Sequence, residues 1–113
     1  MKYLCLVYGE EQKMREVDDL HCLAFDQSVR KSGHCIASEA LQPVSTATTV
    51  RVRNGKVTVT DGPFTESKEV IGGYALLKAK SKEEIVKHTR RFLEVAGQGT
   101  CEIYPLYEMP EAN

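Results

Sequence analysis

The segment Lys2 to Tyr8 constrains the fold more than any other part of the sequence. It reads KYLCLVY, and both of its alternating sets of positions are apolar after the first lysine. Successive side chains of a strand point to opposite faces, so a strand with one wet face alternates polar with apolar residues. The segment therefore predicts a central strand that is covered on both faces.

Hydrophobic periodicity and turn signals predict the rest of the secondary structure. Helical spacing before Gly33 and a capping box formed by Ser81 and Glu84 indicate two helices, the second of which ends at Gly97. The predicted elements are, in chain order, a strand at 2–8, a helix at 17–32, a strand at 35–41, strands at 46–53 and 56–60, a strand at 73–79, a helix at 81–96 and a strand at 100–107.

Asn54-Gly55 is the dipeptide typical of a type I′ hairpin, in which both central residues have positive φ. The register that follows places all four valines of the two strands on one face, which we expect to belong to the core. The other face is basic and polar. The predicted pairs are Arg53 with Lys56, Val52 with Val57, Arg51 with Thr58 and Val50 with Val59.

This element order predicts a single α+β domain over 1–113, with a loose tail at 108–113. It is the ferredoxin-like βαββαβ arrangement with an inserted β-hairpin. Two helices cover only one face of the sheet, whereas the first strand requires a cover on both. We therefore expect a homodimer that pairs sheet to sheet.

Charge and composition narrow the classes of partner. A net charge of −1 and a pI near 6.3 give no general attraction to nucleic acid or to anionic lipid. No apolar run has the roughly 20 residues of a membrane span, and no signal-peptide pattern begins the chain, so we expect a cytoplasmic protein. The four cysteines have no zinc-ligand spacing and are expected to be small buried hydrophobes. No metal or cofactor is predicted.

The most informative stretch for function is 61–74, DGPFTESKEVIGGY. Asp61 either opens a turn with Gly62-Pro63 or serves as a proton acceptor, and Phe64 is expected to plug the loop or to wall a pocket. Lys68 and Glu69 form either a solvated charged stretch or part of a site. The glycines that follow allow close approach of a ligand or of another backbone, and a packed helix or a dimer mate would explain them equally well.

Residues 39–74 resemble the signature block of the DGPF (YCII-related) family, and looser similarity extends to KYLCLVYGEE and EIYPL. The resemblance implies a subunit that forms a dimeric α+β barrel. Most members have no assigned activity, but one related protein is a dehydrochlorinase, and a His–Asp pair is implied for the YCII-related branch. His21 matches that histidine better than His34 does, and Asp61 matches the aspartate only if the inserted hairpin is skipped. Neighbouring genes of such proteins often encode extracytoplasmic-function sigma factors.

The leading hypothesis is a small-molecule cleft for proton transfer or elimination on an acidic organic compound. His21 and Asp61 are its catalytic residues, and the substrate-binding residues are Arg51, Lys68, Glu69 and Tyr74. One alternative is a non-catalytic ligand-binding or regulatory protein associated with a sigma factor. A third interpretation makes the charged segment a dimerisation device.

Overall fold

The computed structural model describes residues 1–15, 30–31, 33–64 and 68–108. Most of the predicted first helix, including His21, lies outside these residues. The elements are β1 (Lys2–Glu10), α1 (Glu11–Arg15), β2 (Cys35–Ala40), a 3-10 turn (Val44–Thr46), β3 (Thr48–Arg53), β4 (Lys56–Asp61), β5 (Glu69–Lys78), α2 (Lys82–Ala96) and β6 (Thr100–Pro105).

Four strands form an antiparallel sheet in the order β2-β5-β1-β6. This is the strand order of the ferredoxin-like fold, because each crossover leaves one strand position between the strands it joins. The predicted α+β class and the central position of β1 are confirmed. No helix in the described residues is long and apolar enough to cross a membrane.

The core lies between this sheet and α2. Its buried side chains come from β1, from the end of β5 and from the helix: Tyr3, Cys5, Leu77, Ala79 and Ile85. The helix begins after Ser81 and ends at Gly97, whose φ of 80° is the left-handed conformation expected of a C-cap glycine. Ser81 makes no capping bond, but Glu84 Oε2 accepts a bond from the Lys80 amide at 3.2 Å. The predicted capping box is therefore not formed, since Glu84 bonds to the amide before Ser81 instead of to that of Ser81.

The opposite face of the sheet, which we call the open face, is partly exposed. Strand pairing assigns to it Leu4, Leu6 and Tyr8 of β1, Tyr74 and Leu76 of β5, and Glu102 and Tyr104 of β6. The leucines are only partly buried, and Tyr104 is 46% exposed. A second subunit over this face stays a prediction.

Strands β3 and β4 form a separate two-stranded sheet, residues 48–61, which we call the arm. Asn54 and Gly55 have φ of 53° and 76°, and every predicted pair is present, so the hairpin and its register are confirmed. The expectation that its valines join the core is wrong within the subunit. These four residues, the valine face, are 60–69% exposed: Val50, Val52, Val57 and Val59.

Strand β5 begins four residues earlier than predicted, at Glu69 instead of residue 73. The predicted loop around Val70 and Ile71 is therefore strand, paired with the last residues of β1. Gly72 is the extra residue of a β-bulge opposite Val7 and Tyr8, which explains how a glycine pair fits inside a central strand.

Candidate functional site

Three residues of the predicted site region lie on the arm or at its base. Asp61 ends β4 opposite Thr48 and is exposed. The Arg51 guanidinium lies over the Phe64 ring, with 4.6 Å from Cζ to the ring centroid, which is a cation–π contact. Phe64 is 69% exposed, so it does not plug the loop; it supports Arg51 instead.

Lys68 and Glu69, at the start of β5, each contact a residue of another strand of the main sheet. Lys68 Nζ lies 3.1 Å from Glu10 Oε1, at the end of β1, and the Glu69 carboxylate accepts a bond from Thr100 Oγ1 at 3.3 Å. Lys68 and then Lys13 hold the pKa of Glu10 below its ordinary value. Because the Lys68 side chain is 84% exposed, its ion pair contributes little to stability. Substrate binding by Lys68 and Glu69 stays a prediction.

Tyr74 is the predicted site residue on the open face. It lies in mid-β5, between Leu6 of β1 and Glu39 of β2. At its neighbour Gly73, an added Cβ would lie 3.0 Å from the Glu39 carbonyl oxygen. A packed neighbouring strand therefore accounts for Gly73, which was one of the open explanations. The partner residue of the proposed dyad, His21, is outside the described residues.

A carboxylate with two tyrosine partners lies on the same open face. The Tyr104 hydroxyl donates to Glu102 Oε2 at 3.0 Å, and Tyr8 lies diagonally across from Glu102 on the neighbouring strand. The Glu102 carboxylate, as a hydrogen-bond acceptor and as a negative charge, raises the pKa of both tyrosines. Both hydroxyls therefore remain neutral near neutral pH. We call these three residues the Glu102 cluster.

The surroundings of the Glu102 cluster are apolar. Leu6 pairs with Glu102, Leu4 pairs with Tyr104, and Leu76 extends the same surface on β5. Such a surface offers flat packing for a ring, with a proton acceptor and hydroxyl donors at its side. Proton transfer requires a group within hydrogen-bond reach of the substrate proton, and the exposed Glu102 carboxylate is open to a ligand on this face.

Sequence reasoning missed Glu102 and Tyr104, although the sequence contained a signal for them. In TCEIYP the two residues are separated by one position, so they share a face in any strand. Glu102 is also the one charged residue inside an otherwise uncharged strand. What the sequence lacks is the strand order that brings Tyr8 beside them.

A second group of ionisable side chains lies where β2 meets α2. The His34 and His88 rings are 4.8 Å apart between centroids, and His34 Nε2 is 3.9 Å from Glu84 Oε2. Burial and then the charge of His34 lower the pKa of His88, so its neutral form is favoured. Within the described ranges, no group of three or more His, Cys, Asp or Glu side chains is placed to hold a metal ion.

The cysteines are consistent with the prediction of small, mostly buried side chains. Cys5 is buried and Cys35 and Cys101 are partly buried, all with free thiols, whereas Cys22 lies outside the described residues. A hydrogen bond between two of them raises the pKa of Cys5 and lowers that of Cys101. Cys101 also lines an open groove of about 760 Å³ between α2 and β6.

That groove is the weaker candidate. It is lined largely by apolar atoms, and its charged pair, Arg90 and Glu94, is joined at 3.1 Å. Ligand sites usually combine apolar walls with several polar groups aimed at the ligand. The Glu102 cluster has such convergence, so we regard the open face as the candidate site.

Comparison with known proteins identifies a family and several chains of known structure that resemble this one. The sequence model of the YCII-related domain family matches residues 1–110. No curated protein matches the chain. Eight chains of known structure match it. One of them is a 5-chloro-2-hydroxyhydroquinone dehydrochlorinase from Burkholderia phenoliruptrix AC1100 in complex with 2,5-dihydroxybenzoquinone. The two chains are 12% identical, and their structural alignment covers 96% of each chain with a TM-score of 0.61. This likeness establishes a shared fold.

Proposed function

We propose that this chain, which belongs to the YCII-related domain family, binds a small hydroxylated ring compound on its open face and transfers a proton from it without a cofactor. The observation that carries this proposal is the Glu102 carboxylate on an apolar sheet face, which accepts a hydrogen bond from Tyr104 and has Tyr8 diagonally beside it. The structural neighbour, a dehydrochlorinase in complex with a dihydroxybenzoquinone, supports the class of compound. Such compounds are acidic through their ring hydroxyls.

In this scheme Glu102 accepts the proton of a ring hydroxyl. The tyrosines orient the carboxylate and donate hydrogen bonds to ring oxygens, while the leucines of β1 and β5 pack on the ring. On a chlorinated substrate, one hydroxyl proton moves to the ring carbon that carries chlorine, which becomes tetrahedral; loss of a second hydroxyl proton and of chloride then releases HCl and leaves a quinone. The electron pair of the C–Cl bond departs with chloride, so the step needs no external oxidant.

The predicted dyad of His21 and Asp61 is the competing assignment of the proton acceptor. Asp61 lies on the arm and is exposed, and Arg51 beside Phe64 offers a guanidinium to an anionic ligand oxygen. The arm and the open face are different parts of the subunit. Replacement of each carboxylate in turn therefore distinguishes the two assignments.

The test measures binding of 2,5-dihydroxybenzoquinone by calorimetry to the wild type and to E102Q, D61N and E83Q. E83Q is the control, because Glu83 is exposed on α2, which packs on the other face. A hydrogen bond to a charged group is worth about 1.5–3 kcal/mol, so E102Q should weaken binding roughly 10- to 100-fold. Binding that E83Q and E102Q leave equally unchanged contradicts the proposal, and a loss confined to D61N supports the dyad.

The regulatory alternative, a protein linked to a sigma factor, has a separate basis. The exposed valine face of the arm is a surface that a protein partner would cover. A pull-down with the intact chain should then enrich a sigma factor, and the enrichment should be lost when the valines are replaced. Recovery of the chain with no sigma factor rejects this alternative.

A further inference from the structure

Two free thiols are neighbours on the core face of the sheet, which is the face opposite the Glu102 cluster. Cys5 of β1 pairs with Ile103 of β6, and Cys101 of β6 pairs with Val7 of β1, so the two cysteines are diagonal neighbours on adjacent strands. Cys5 belongs to the buried core, and Cys101 packs against that core. Either cysteine alone would serve as a small apolar side chain, but two adjacent thiols also make disulfide chemistry available.

The two thiols differ in their access to solvent. Cys5 is 1% exposed and lies in the core between the sheet and α2. Cys101 is only partly buried and lines the open groove of about 760 Å³ between α2 and β6. A small uncharged oxidant such as hydrogen peroxide therefore has a path to Cys101, whereas the core encloses Cys5.

Their contact also makes the two thiols unequal in reactivity, because the thiolate and not the thiol is the nucleophile. As a hydrogen-bond partner, Cys5 lowers the pKa of Cys101, and this effect outweighs burial and the negative charge of Glu102, which raise it. Cys101 and burial raise the pKa of Cys5. Redox-sensitive cysteines are accessible thiols of low pKa that lie beside a second, resolving thiol. Cys101 has each of these properties.

The start of β6 can take up the movement that a bond between the two sulfurs requires. Diagonal neighbours on antiparallel strands have Cα atoms about 7–8 Å apart, whereas the Cα atoms of a disulfide are usually at most about 6.8 Å apart. The strand must therefore shift by about 1 Å. Cys101 is the second residue of β6, and the turn before it contains Gly97 and Gly99, which have φ of 80° and 124°. Glycine is the residue that most readily accommodates such a backbone adjustment.

We propose that Cys101 is a site of reversible oxidation by hydrogen peroxide and that Cys5 resolves the oxidised residue as a disulfide between β1 and β6. The Cys101 thiolate attacks one peroxide oxygen, the O–O bond breaks, and the departing hydroxide takes up the thiol proton to form water. The Cys5 sulfur then attacks the sulfur of the resulting sulfenic acid, the S–O bond breaks, and a second water leaves with the Cys5 proton. One peroxide is reduced to two molecules of water while two thiols are oxidised to one disulfide. This inference does not depend on the proposed function.

The experiment treats the reduced, intact chain with hydrogen peroxide, counts the remaining thiols and maps the disulfides by mass spectrometry of its peptides. C35S is the matched control, because Cys35 also packs against the core while partly buried, but β5 separates its strand from β1. The wild type and C35S should each lose two thiols per chain, contain the Cys5–Cys101 link and regain both thiols with dithiothreitol. Thiols that survive the treatment, or disulfides that involve Cys22, Cys35 or a second chain instead, overturn the proposal.

Two further variants separate the roles of the two cysteines. In C5A the resolving thiol is absent, so a sulfenic acid should persist at Cys101 and be trapped there by dimedone. In C101S the attacking thiol is absent, so Cys5 should keep its thiol. Circular dichroism checks the folding of both. Oxidation of Cys5 in folded C101S as fast as in the wild type overturns the assignment of Cys101 as the attacking residue, and this result decides the matter even if C5A does not fold.

Discussion

Replacement of Ile85 by alanine tests the packing of α2 on the sheet. Ile85 is 0% exposed and contacts the core formed by β1 and the end of β5. The change removes three carbon atoms, which at about 0.8 kcal/mol each amounts to about 2.4 kcal/mol of lost burial. The cavity adds a further cost, so we expect a total of about 3–4 kcal/mol. That is a large fraction of the roughly 5–15 kcal/mol by which a domain is stable.

The assay is urea unfolding followed by circular dichroism at one protein concentration, because association would make the midpoint depend on concentration. V86A is the matched control: Val86 is the next residue of the same helix and is 45% exposed. Alanine there loses partial burial but gains helix propensity, so the change should stay within about 0.5 kcal/mol. Equal small losses for I85A and V86A would refute the assignment of this helix face to the core.

Three further predictions concern single sites. In E102Q the two tyrosines beside that carboxylate, Tyr8 and Tyr104, should ionise at lower pH than in the wild type, because a negative neighbour is removed; an unchanged ultraviolet titration would count against the cluster. The lowered pKa of His88 means that its stabilising contribution is complete above pH 6.5 and is lost as the pH falls below it, so H88Q should have the flatter stability profile in that range; parallel profiles would disprove this. G73A should cost about 1–3 kcal/mol, since its Cβ would lie 3.0 Å from the Glu39 carbonyl oxygen and backbone cannot yield cheaply, and an unchanged urea midpoint would be inconsistent with this close approach.

Local chemistry explains which parts of the fold could be predicted. The arm register follows from Asn54-Gly55 alone, and the end of α2 follows from Gly97, because each depends on the φ of one or two residues. The central position of β1 follows from its composition. The start of β5 could not be predicted, because residues 69–72 are in strand through pairing with the end of β1, a partner about 60 positions earlier in the chain.

The candidate site was harder to predict than the fold, because its members become neighbours only in the sheet. Tyr8 and Glu102 lie at opposite ends of the sequence and meet because β6 pairs with β1. The charged residues that stood out in the sequence, Lys68 and Glu69, instead have partners at the sheet edge in Glu10 and Thr100. Prominent charge clusters in a sequence are often solvated structural contacts, whereas the neighbours of an isolated charge in a strand depend on which strands pair beside it.

The error about the valine face follows from the same physics that made its register predictable. Alternation of apolar and polar residues determines which side chains share a face, but it does not determine what covers that face. The first strand and the arm each have an apolar face that the described part of their own subunit leaves partly or largely exposed. The register of such a face can therefore be predicted from a hairpin alone, whereas its cover depends on contacts that lie outside the hairpin and leave no trace in its alternation.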